Sequence, residues 1–266
     1  GAWLGLRNGV EPPEGVVQTV DRYGDARQQD AQWWAPPRAG RLPTVVLVHG
    51  GFWRPGFDRG LEEEVAADLS GRGYLVLNVD YRSSDAPWPT TLTDAAAAYD
   101  LLATGTHADR VDPARVAVVG HSAGGHLALW LASRHTLPAG AAGAAPRGPR
   151  PALAVGQAPV AALVAGAQQQ LGGGAVQALL GGGPDEVPDR YAVADPVARL
   201  PTGVRTACLH GEDDDIVPLR QSELYVEAAT AAGDDARLVV LPGGHFEHLA
   251  PASPAGRALV EALEGL

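Results

Sequence analysis

The sequence predicts an α/β fold with a mostly parallel central sheet and helices on both of its faces. Apolar runs of strand length at 44–48, 74–79 and 116–119 alternate along the chain with segments that show helical spacing. The runs are apolar almost throughout, as expected of strands that are buried on both faces. Repeated alternation of strands and helices favours a parallel sheet covered on each side.

The individual elements follow from local pattern and composition. The runs 16–20 and 28–34 predict an opening antiparallel pair of strands, and the acidic start of the segment 61–70 suits the first turn of a helix. The complete prediction after the opening pair is strand 44–48, helix 61–70, strand 74–79, helix 92–103, strand 116–119, helix 124–134, strand 152–155, strand 204–209, helix 219–232, strand 236–241 and helix 255–263.

Two segments interrupt this alternation. The run 138–151 consists mainly of Ala, Gly and Pro and is predicted to be a flexible surface loop. An insertion at about 160–195, glycine-rich over 168–195, has two Gly-Gly-Gly runs on either side of an apolar helical stretch. This lid-like insertion is predicted to form a lid over the substrate pocket or one of its walls. The alternative is a segment that only covers the protein surface. Without an internal repeat or a second core, residues 1–266 are expected to form a single domain.

Composition excludes several classes of function. The net charge is −11 and the chain contains no lysine, which argues against nucleic acid and against an anionic membrane surface as partners. Cys208 is the only cysteine, so no intramolecular disulfide and no Cys-rich metal site is expected. No apolar run reaches about 18 residues, which predicts a soluble, cytoplasmic protein. A start at Gly1-Ala2 without any methionine indicates a processed N-terminus.

The most informative motif is Gly120-His121-Ser122-Ala123-Gly124-Gly125. It lies between a predicted strand and a predicted helix, which is the context in which G-x-S-x-G forms a nucleophile elbow. The sharp reversal strains the backbone at the serine and requires small neighbours. Ser122 Oγ is therefore predicted to be an exposed nucleophile near a helix N-terminus, where negative charge is favoured.

Two other strand ends predict an oxyanion hole and a general base. Gly51 and Phe52 follow the strand 44–48, and with Ala123 they are predicted to supply backbone N–H groups for an oxyanion. His245 follows two glycines after the strand 236–241 and is predicted to be the general base, with His248 as a weaker candidate.

The acid that orients the base is expected in the run after the strand 204–209. Asp213, Asp214 and Asp215 all lie there, and their pattern alone leaves all three open. The run lacks the D-x-D-x-D-G spacing of a calcium loop and has no His/Cys cluster beside it, so neither a metal nor a cofactor is predicted.

Together these motifs resemble the α/β-hydrolase superfamily. Within it, the chain is similar to bacterial serine carboxylesterases related to arylformamidase (kynurenine formamidase) and to hormone-sensitive-lipase-type esterases. The resemblance extends from about Ala31 onward and implies Ser122, Asp214 and His245 as a catalytic triad. It rests on nine segments of the sequence, namely His49–Trp53, Asp80–Arg82, Trp88-Pro89, Leu92–Asp94, Gly120–Gly125, Leu180–Gly182, Asp195-Pro196, His210–Pro218 and Gly244–Phe246.

Two residues depart from the family pattern. Phe52 stands where lipase-like relatives have a third glycine, which predicts a narrower acyl side. Asp195 stands where relatives often have serine before the proline. Trp53, Tyr81 and Trp88 are predicted to form an aromatic substrate-binding wall, with His121 beside the substrate.

The sequence thus predicts a metal-independent serine hydrolase that cleaves an ester or activated amide of a small, aromatic substrate through an acyl-enzyme. Hydrolysis of N-formylkynurenine specifically and acyl transfer to an acceptor other than water are alternatives within the same mechanism. A hydrolase-fold binding protein without catalysis is the alternative from a different class. The expected partner is the small ester or amide substrate, and a homodimer is left open.

Overall fold

The protein, described for residues 9–266 by a computed structural model, is built on one eight-stranded sheet. The expected processed N-terminus at Gly1-Ala2 lies outside the described residues. The strands are β1 (Val17–Arg22), β2 (Asp30–Ala35), β3 (Leu42–Val48), β4 (Leu75–Val79), β5 (Val111–His121), β6 (Leu153–Gln157), β7 (Arg205–Gly211) and β8 (Ala236–Leu241). Their order across the sheet is β1-β2-β4-β3-β5-β6-β7-β8.

The helices connect and cover these strands. They are α1 (Glu63–Gly71), α2 (Thr90–Tyr99), α3 (Leu101–Thr104), α4 (Ala123–Leu131), α5 (Leu163–Gln168), α6 (Ala175–Leu180), α7 (Pro188–Ala194), α8 (Leu219–Ala231) and α9 (Pro254–Leu263). Over residues 9–266 no helix combines the length and apolar character that a membrane crossing needs.

The predicted fold class is confirmed. The strands β4, β3, β5, β6, β7 and β8 run parallel, whereas β1 and β2 pair antiparallel, as expected of the opening pair. Apolar side chains of α1 and α9 cover one face of the sheet, and those of α2, α4 and α8 cover the other. With both faces covered, the carboxyl ends of the parallel strands form the one edge at which loops can build a site.

The loop at 138–151 is tied down rather than free. The Arg134 guanidinium binds the Asp100 carboxylate at 2.9 and 3.1 Å and donates to the Gly143 carbonyl at 2.7 Å. The same carboxylate accepts the Gly148 amide at 3.0 Å. The composition predicted a flexible loop because the residues that hold it, Arg134 and Asp100, lie outside the run of Ala, Gly and Pro.

We expect Arg134→Met to destabilise the protein by about 2 kcal/mol, because it removes the guanidinium from the partly buried Asp100 carboxylate and the hydrogen bond to Gly143. Urea denaturation measures the change in the free energy of unfolding. Arg220→Met is the matched control, since Arg220 pairs with Glu227 at the surface, where an ion pair contributes less than about 1 kcal/mol. Equal losses in the two variants would contradict the anchor.

Glu62, directly before α1, is buried, and neither of its carboxylate oxygens has a hydrogen-bond partner within residues 9–266. Burial raises the pKa of Glu62 to about 8. Between pH 4.5, its ordinary pKa, and pH 8 the unfolded chain therefore releases a proton that the folded protein retains. The contribution of this group to stability is complete at low pH and is lost as the pH rises through that interval.

We expect Glu62→Gln, which stays neutral, to become progressively more stable than the parent protein as the pH rises from 5 to 8. The difference should reach the order of 4 kcal/mol at the upper end. Urea denaturation at several pH values measures it. A difference that does not change with pH would show that Glu62 is ionised in the folded protein.

Candidate active site

The predicted nucleophile lies on the turn between β5 and α4. Ser122 has φ 59° and ψ −118°, and α4 begins at the next residue, Ala123. A Cβ on Gly120 would lie against the Gly124 backbone, and one on Gly124 would lie against the Val48 carbonyl. Glycine is therefore required at both positions, and the strained backbone of an elbow is present at the serine.

The predicted base and acid are in direct contact. His245 Nδ1 lies 2.7 Å from Asp214 Oδ2, and both side chains are almost completely buried. The other carboxylate oxygen, Oδ1, accepts the backbone N–H groups of Ile216 and Val217, each at 2.9 Å. The imidazole Nδ1 must donate to a carboxylate held in this way, which leaves Nε2 free to accept a proton.

Two histidines act on the Asp214 carboxylate. Burial alone would raise its pKa, but hydrogen bonds from His210 and His245 outweigh burial and hold the pKa of Asp214 well below its usual value. His210 Nε2 lies 2.8 Å from the Val217 carbonyl and 3.4 Å from the Asp214 carboxylate, and its Nδ1 lies 2.7 Å from the Ser222 hydroxyl. Asp214 is therefore ionised at neutral pH and orients the base as an anion.

The structure also separates the alternatives that the sequence left open. Of the three consecutive aspartates, Asp214 turns inward, whereas Asp213 and Asp215 are exposed. His248, the weaker candidate for the base, is buried with no hydrogen-bond partner on either ring nitrogen within the described part of the chain. Burial lowers the pKa of His248 to about 4, and its ring does not line the cavity that Ser122 lines.

Ser122 and His245 line one cavity of about 290 Å³ at the carboxyl edge of the sheet. Most of its wall is apolar, and all three phenylalanines of the chain contribute to it. The apolar lining residues are Phe52, Phe57, Leu61, Ile216, Phe246 and Leu249. Arg54 contributes the one permanent charge among the lining residues. The cavity is at the small end of the range for ligand pockets, about 300–1,000 Å³.

The predicted oxyanion donors lie around the same cavity. Gly51 and Phe52 line the cavity, and Ala123 directly follows Ser122. Across residues 9–266 none of their three backbone N–H groups donates a hydrogen bond. Unused amide donors next to a nucleophile are what an oxyanion hole requires.

His121, predicted to bind substrate, lines the cavity but also holds the loop of the base. Its Nε2 lies 2.7 Å from the backbone carbonyl of His245. Burial, together with the charges of His245 and His248, lowers the pKa of His121 well below its ordinary value. The ring is therefore neutral, and because a carbonyl can only accept, its proton is on Nε2.

The predicted aromatic wall of Trp53, Tyr81 and Trp88 is not found, since none of the three lines the cavity. Trp53 is 1% exposed and belongs to the core. Tyr81 stacks on the His49 ring at 4.4 Å and donates to the His49 carbonyl. Trp88 is half-buried beneath Arg190. Proximity in sequence to the glycine motifs does not determine which way these rings point.

The predicted lid-like insertion also lies elsewhere. No residue of 160–195 lines the cavity, and the insertion contacts the site from outside, where Gly172 lies against the Phe52 ring and accepts a hydrogen bond from Arg54. Phe57, Leu61 and Leu249 also line the cavity and were not predicted, because they share no motif with the triad. Ile216 was predictable from the loop that carries Asp214, and His210 from its place at the end of β7, directly before that loop.

Comparison with known proteins identifies the family of this chain. The BD-FAE family profile matches residues 33–228, which is more than half of the chain. Carboxylesterase NlhH of Mycobacterium tuberculosis is 34% identical over 101 residues, which cover 38% of this chain and 32% of NlhH. The chain therefore aligns with about a third of that curated relative. An uncharacterized protein of the same organism is 30% identical over 256 residues, covering 93% of this chain and 76% of its own length.

Solved structures show the same fold. Esterase B from Lactobacillus rhamnosis has a TM-score of 0.81 at 22% identity, with 97% of this chain and 88% of that chain covered. A truncated carbohydrate esterase from gut microbiota has a TM-score of 0.81 at 19% identity, with 96% and 98% covered. The similarity to arylformamidase is not tested by these relatives and stays a prediction. The chain belongs to the BD-FAE family and has the α/β-hydrolase fold of its esterase relatives.

Proposed function

We propose that this protein is a serine carboxylesterase that hydrolyses small esters with an apolar or aromatic group. The observation that carries the proposal is one apolar cavity lined by both Ser122 and His245, with His245 bound to the buried Asp214 carboxylate at 2.7 Å. Nucleophile, base and orienting acid are the three side chains that acyl transfer by serine requires.

The reaction follows from these positions. His245 Nε2 takes the proton of Ser122 Oγ as the oxygen attacks the ester carbonyl carbon, and the Asp214 anion stabilises the imidazolium that forms. The oxyanion accepts hydrogen bonds from the free backbone N–H groups of Gly51, Phe52 and Ala123. His245 then gives its proton to the departing alcohol, and a water molecule activated by the same base hydrolyses the acyl-enzyme.

The cavity lining supports the choice of substrate class. Among the structural neighbours, one is named a carbohydrate esterase and another only an esterase, so their names do not decide the substrate class. A sugar needs several polar partners to replace its hydration, and six of the residues that line this cavity are apolar. The small apolar cavity therefore favours a short acyl chain or an aromatic ring in contact with Phe52, Phe57 and Phe246.

We expect kcat/KM to be higher for p-nitrophenyl butyrate and phenyl acetate than for the longer p-nitrophenyl octanoate, because the cavity is small, and than for an acetylated xyloside, because its wall is mostly apolar. Ser122→Ala should lower the turnover of the best ester by several orders of magnitude, because the acyl-enzyme cannot form. Initial rates with the parent protein and the variant measure both effects.

Other outcomes of the same assay would change the assignment. Preferred turnover of N-formylkynurenine that Ser122→Ala abolishes would make the enzyme a formamidase. Labelling of Ser122 by a fluorophosphonate without ester turnover would favour acyl transfer to an acceptor other than water. Near-normal ester turnover by Ser122→Ala would refute the proposed mechanism.

We expect Asp214→Asn to lower kcat by about 10³–10⁴-fold. The amide oxygen can still accept the N–H groups of Ile216 and Val217, so the loop is retained, but an amide nitrogen cannot accept the proton of His245 Nδ1. Steady-state kinetics measure the loss. Asp215→Asn is the matched control and should leave kcat unchanged, since Asp215 is exposed on the same loop. A reversed result would transfer the role of the acid to Asp215.

A further inference from the structure

The oxyanion loop, defined here as Gly51–Trp53, has a backbone that needs outside support. All three residues have positive φ, with values of 121°, 51° and 56°. Two of them are bulky non-glycine residues, for which this conformation is unfavourable. Such a conformation persists only where surrounding contacts fix it, and it is found mostly where function requires it.

The Trp53 indole is fixed by a histidine of the nucleophile helix. Its Nε1–H donates to His126 Nδ1 at 3.1 Å, and the two rings meet edge to face with their centroids 5.3 Å apart. Both side chains are buried. His126 is on the first turn of α4, so this bond joins the oxyanion loop to the helix that begins directly after Ser122.

The partners of His126 determine its tautomer. An indole N–H can only donate, so Nδ1 must be the acceptor and the ring proton must be on Nε2. Nε2 lies 2.9 Å from the backbone carbonyl of Ala194, the last residue of α7 in the insertion. Burial lowers the pKa of His126 to about 4, so the ring keeps this neutral form at neutral pH.

The Ala194 carbonyl is itself held in place. The Asp195 carboxylate accepts the backbone N–H groups of Leu163 and Val164 at 3.1 and 3.2 Å, which closes the base of the insertion. The insertion therefore presents a rigid acceptor to His126.

We propose that His126 is a positioning residue for the oxyanion hole, and that the insertion braces the oxyanion loop through the chain Ala194–His126–Trp53. This inference rests on the proposed ester hydrolysis. Phe52 and Trp53 are adjacent and both have positive φ, so relaxation of this backbone, once the indole is no longer held, moves the Phe52 amide away from the oxyanion. The hydrogen bond from the Phe52 N–H is stronger to the oxyanion of the transition state than to the carbonyl of bound substrate. Its loss therefore lowers kcat rather than raising KM.

The test replaces His126 in two ways. His126→Leu removes both hydrogen bonds, whereas a glutamine at this position can accept from Trp53 through Oε1 and donate to Ala194 through Nε2. With p-nitrophenyl butyrate we expect His126→Leu to lower kcat about 10–100-fold with KM within about twofold. His126→Gln should restore most of kcat. Trp53→Phe should give a similar loss, and the double variant Trp53→Phe/His126→Leu should be no worse than either single variant.

A neighbouring bond supplies the control. Trp130→Phe removes another buried hydrogen bond of α4, from the indole N–H to the Val193 carbonyl at 2.9 Å, and leaves the Asp195 bonds, His126 and the oxyanion loop in place. It should leave kcat unchanged even where urea denaturation shows an equal loss of stability. A folded His126→Leu with unchanged kcat, or equal losses of kcat in His126→Leu and Trp130→Phe, would overturn the proposal.

A readout independent of catalysis separates this inference from the proposed function. ¹⁵N NMR of the parent protein should show His126 as the neutral Nε2–H tautomer from pH 5.5 to 9, whether or not any ester is turned over. A proton on Nδ1, or titration near pH 6.5, would overturn the chain of hydrogen bonds. Ester turnover that persists in Ser122→Ala would instead refute the proposed function and leave the NMR result intact.

Discussion

At the turn that carries Ser122, backbone segments approach so closely that no side chain fits between them. A Cβ on Gly124 would lie against the carbonyls of Val48 and His49, and one on Gly50 would lie 2.7 Å from the His121 carbonyl. Contacts with backbone atoms cannot be relieved by rotating a side chain, so these positions require glycine. This approach brings the ends of β3 and β5 together, and the nucleophile and the oxyanion loop depend on it jointly.

Buried histidines then set the positions of the loops around this contact. Each has two ring nitrogens at a fixed separation, so one imidazole can join two backbone segments with a defined geometry. His49 contacts Gly50 and Asp80, His126 contacts Trp53 and Ala194, and His210 contacts Val217 and Ser222. His121 contacts the His245 carbonyl through one nitrogen. Three loops that carry the proposed catalytic groups are thus held by side chains to which no proton transfer is assigned.

Local sequence pattern was sufficient for the fold and for much of the site. Apolar runs and helical spacing are properties of neighbouring residues, and the expected strands and helices formed with small shifts at their ends. Asp214 came from the family resemblance, because three consecutive aspartates are equivalent by pattern and only the turn of the loop decides which one is buried. Trp53, Tyr81 and Trp88 were misplaced because ring orientation depends on tertiary partners such as His126 and His49, which no local pattern contains.

Asp195 shows why the insertion acts on the site without covering it. Burial raises the pKa of this carboxyl group, and three backbone N–H groups oppose that effect by hydrogen bonding to it. Those bonds join the two ends of the insertion, so its conformation is set at its base, where the Ala194 carbonyl faces His126. Gly172, in the interior of the segment, lies against Phe52. Under the proposed brace, an insertion fastened in this way acts on catalysis through the backbone of the oxyanion loop, and we expect changes in its sequence to alter kcat before they alter the choice of substrate.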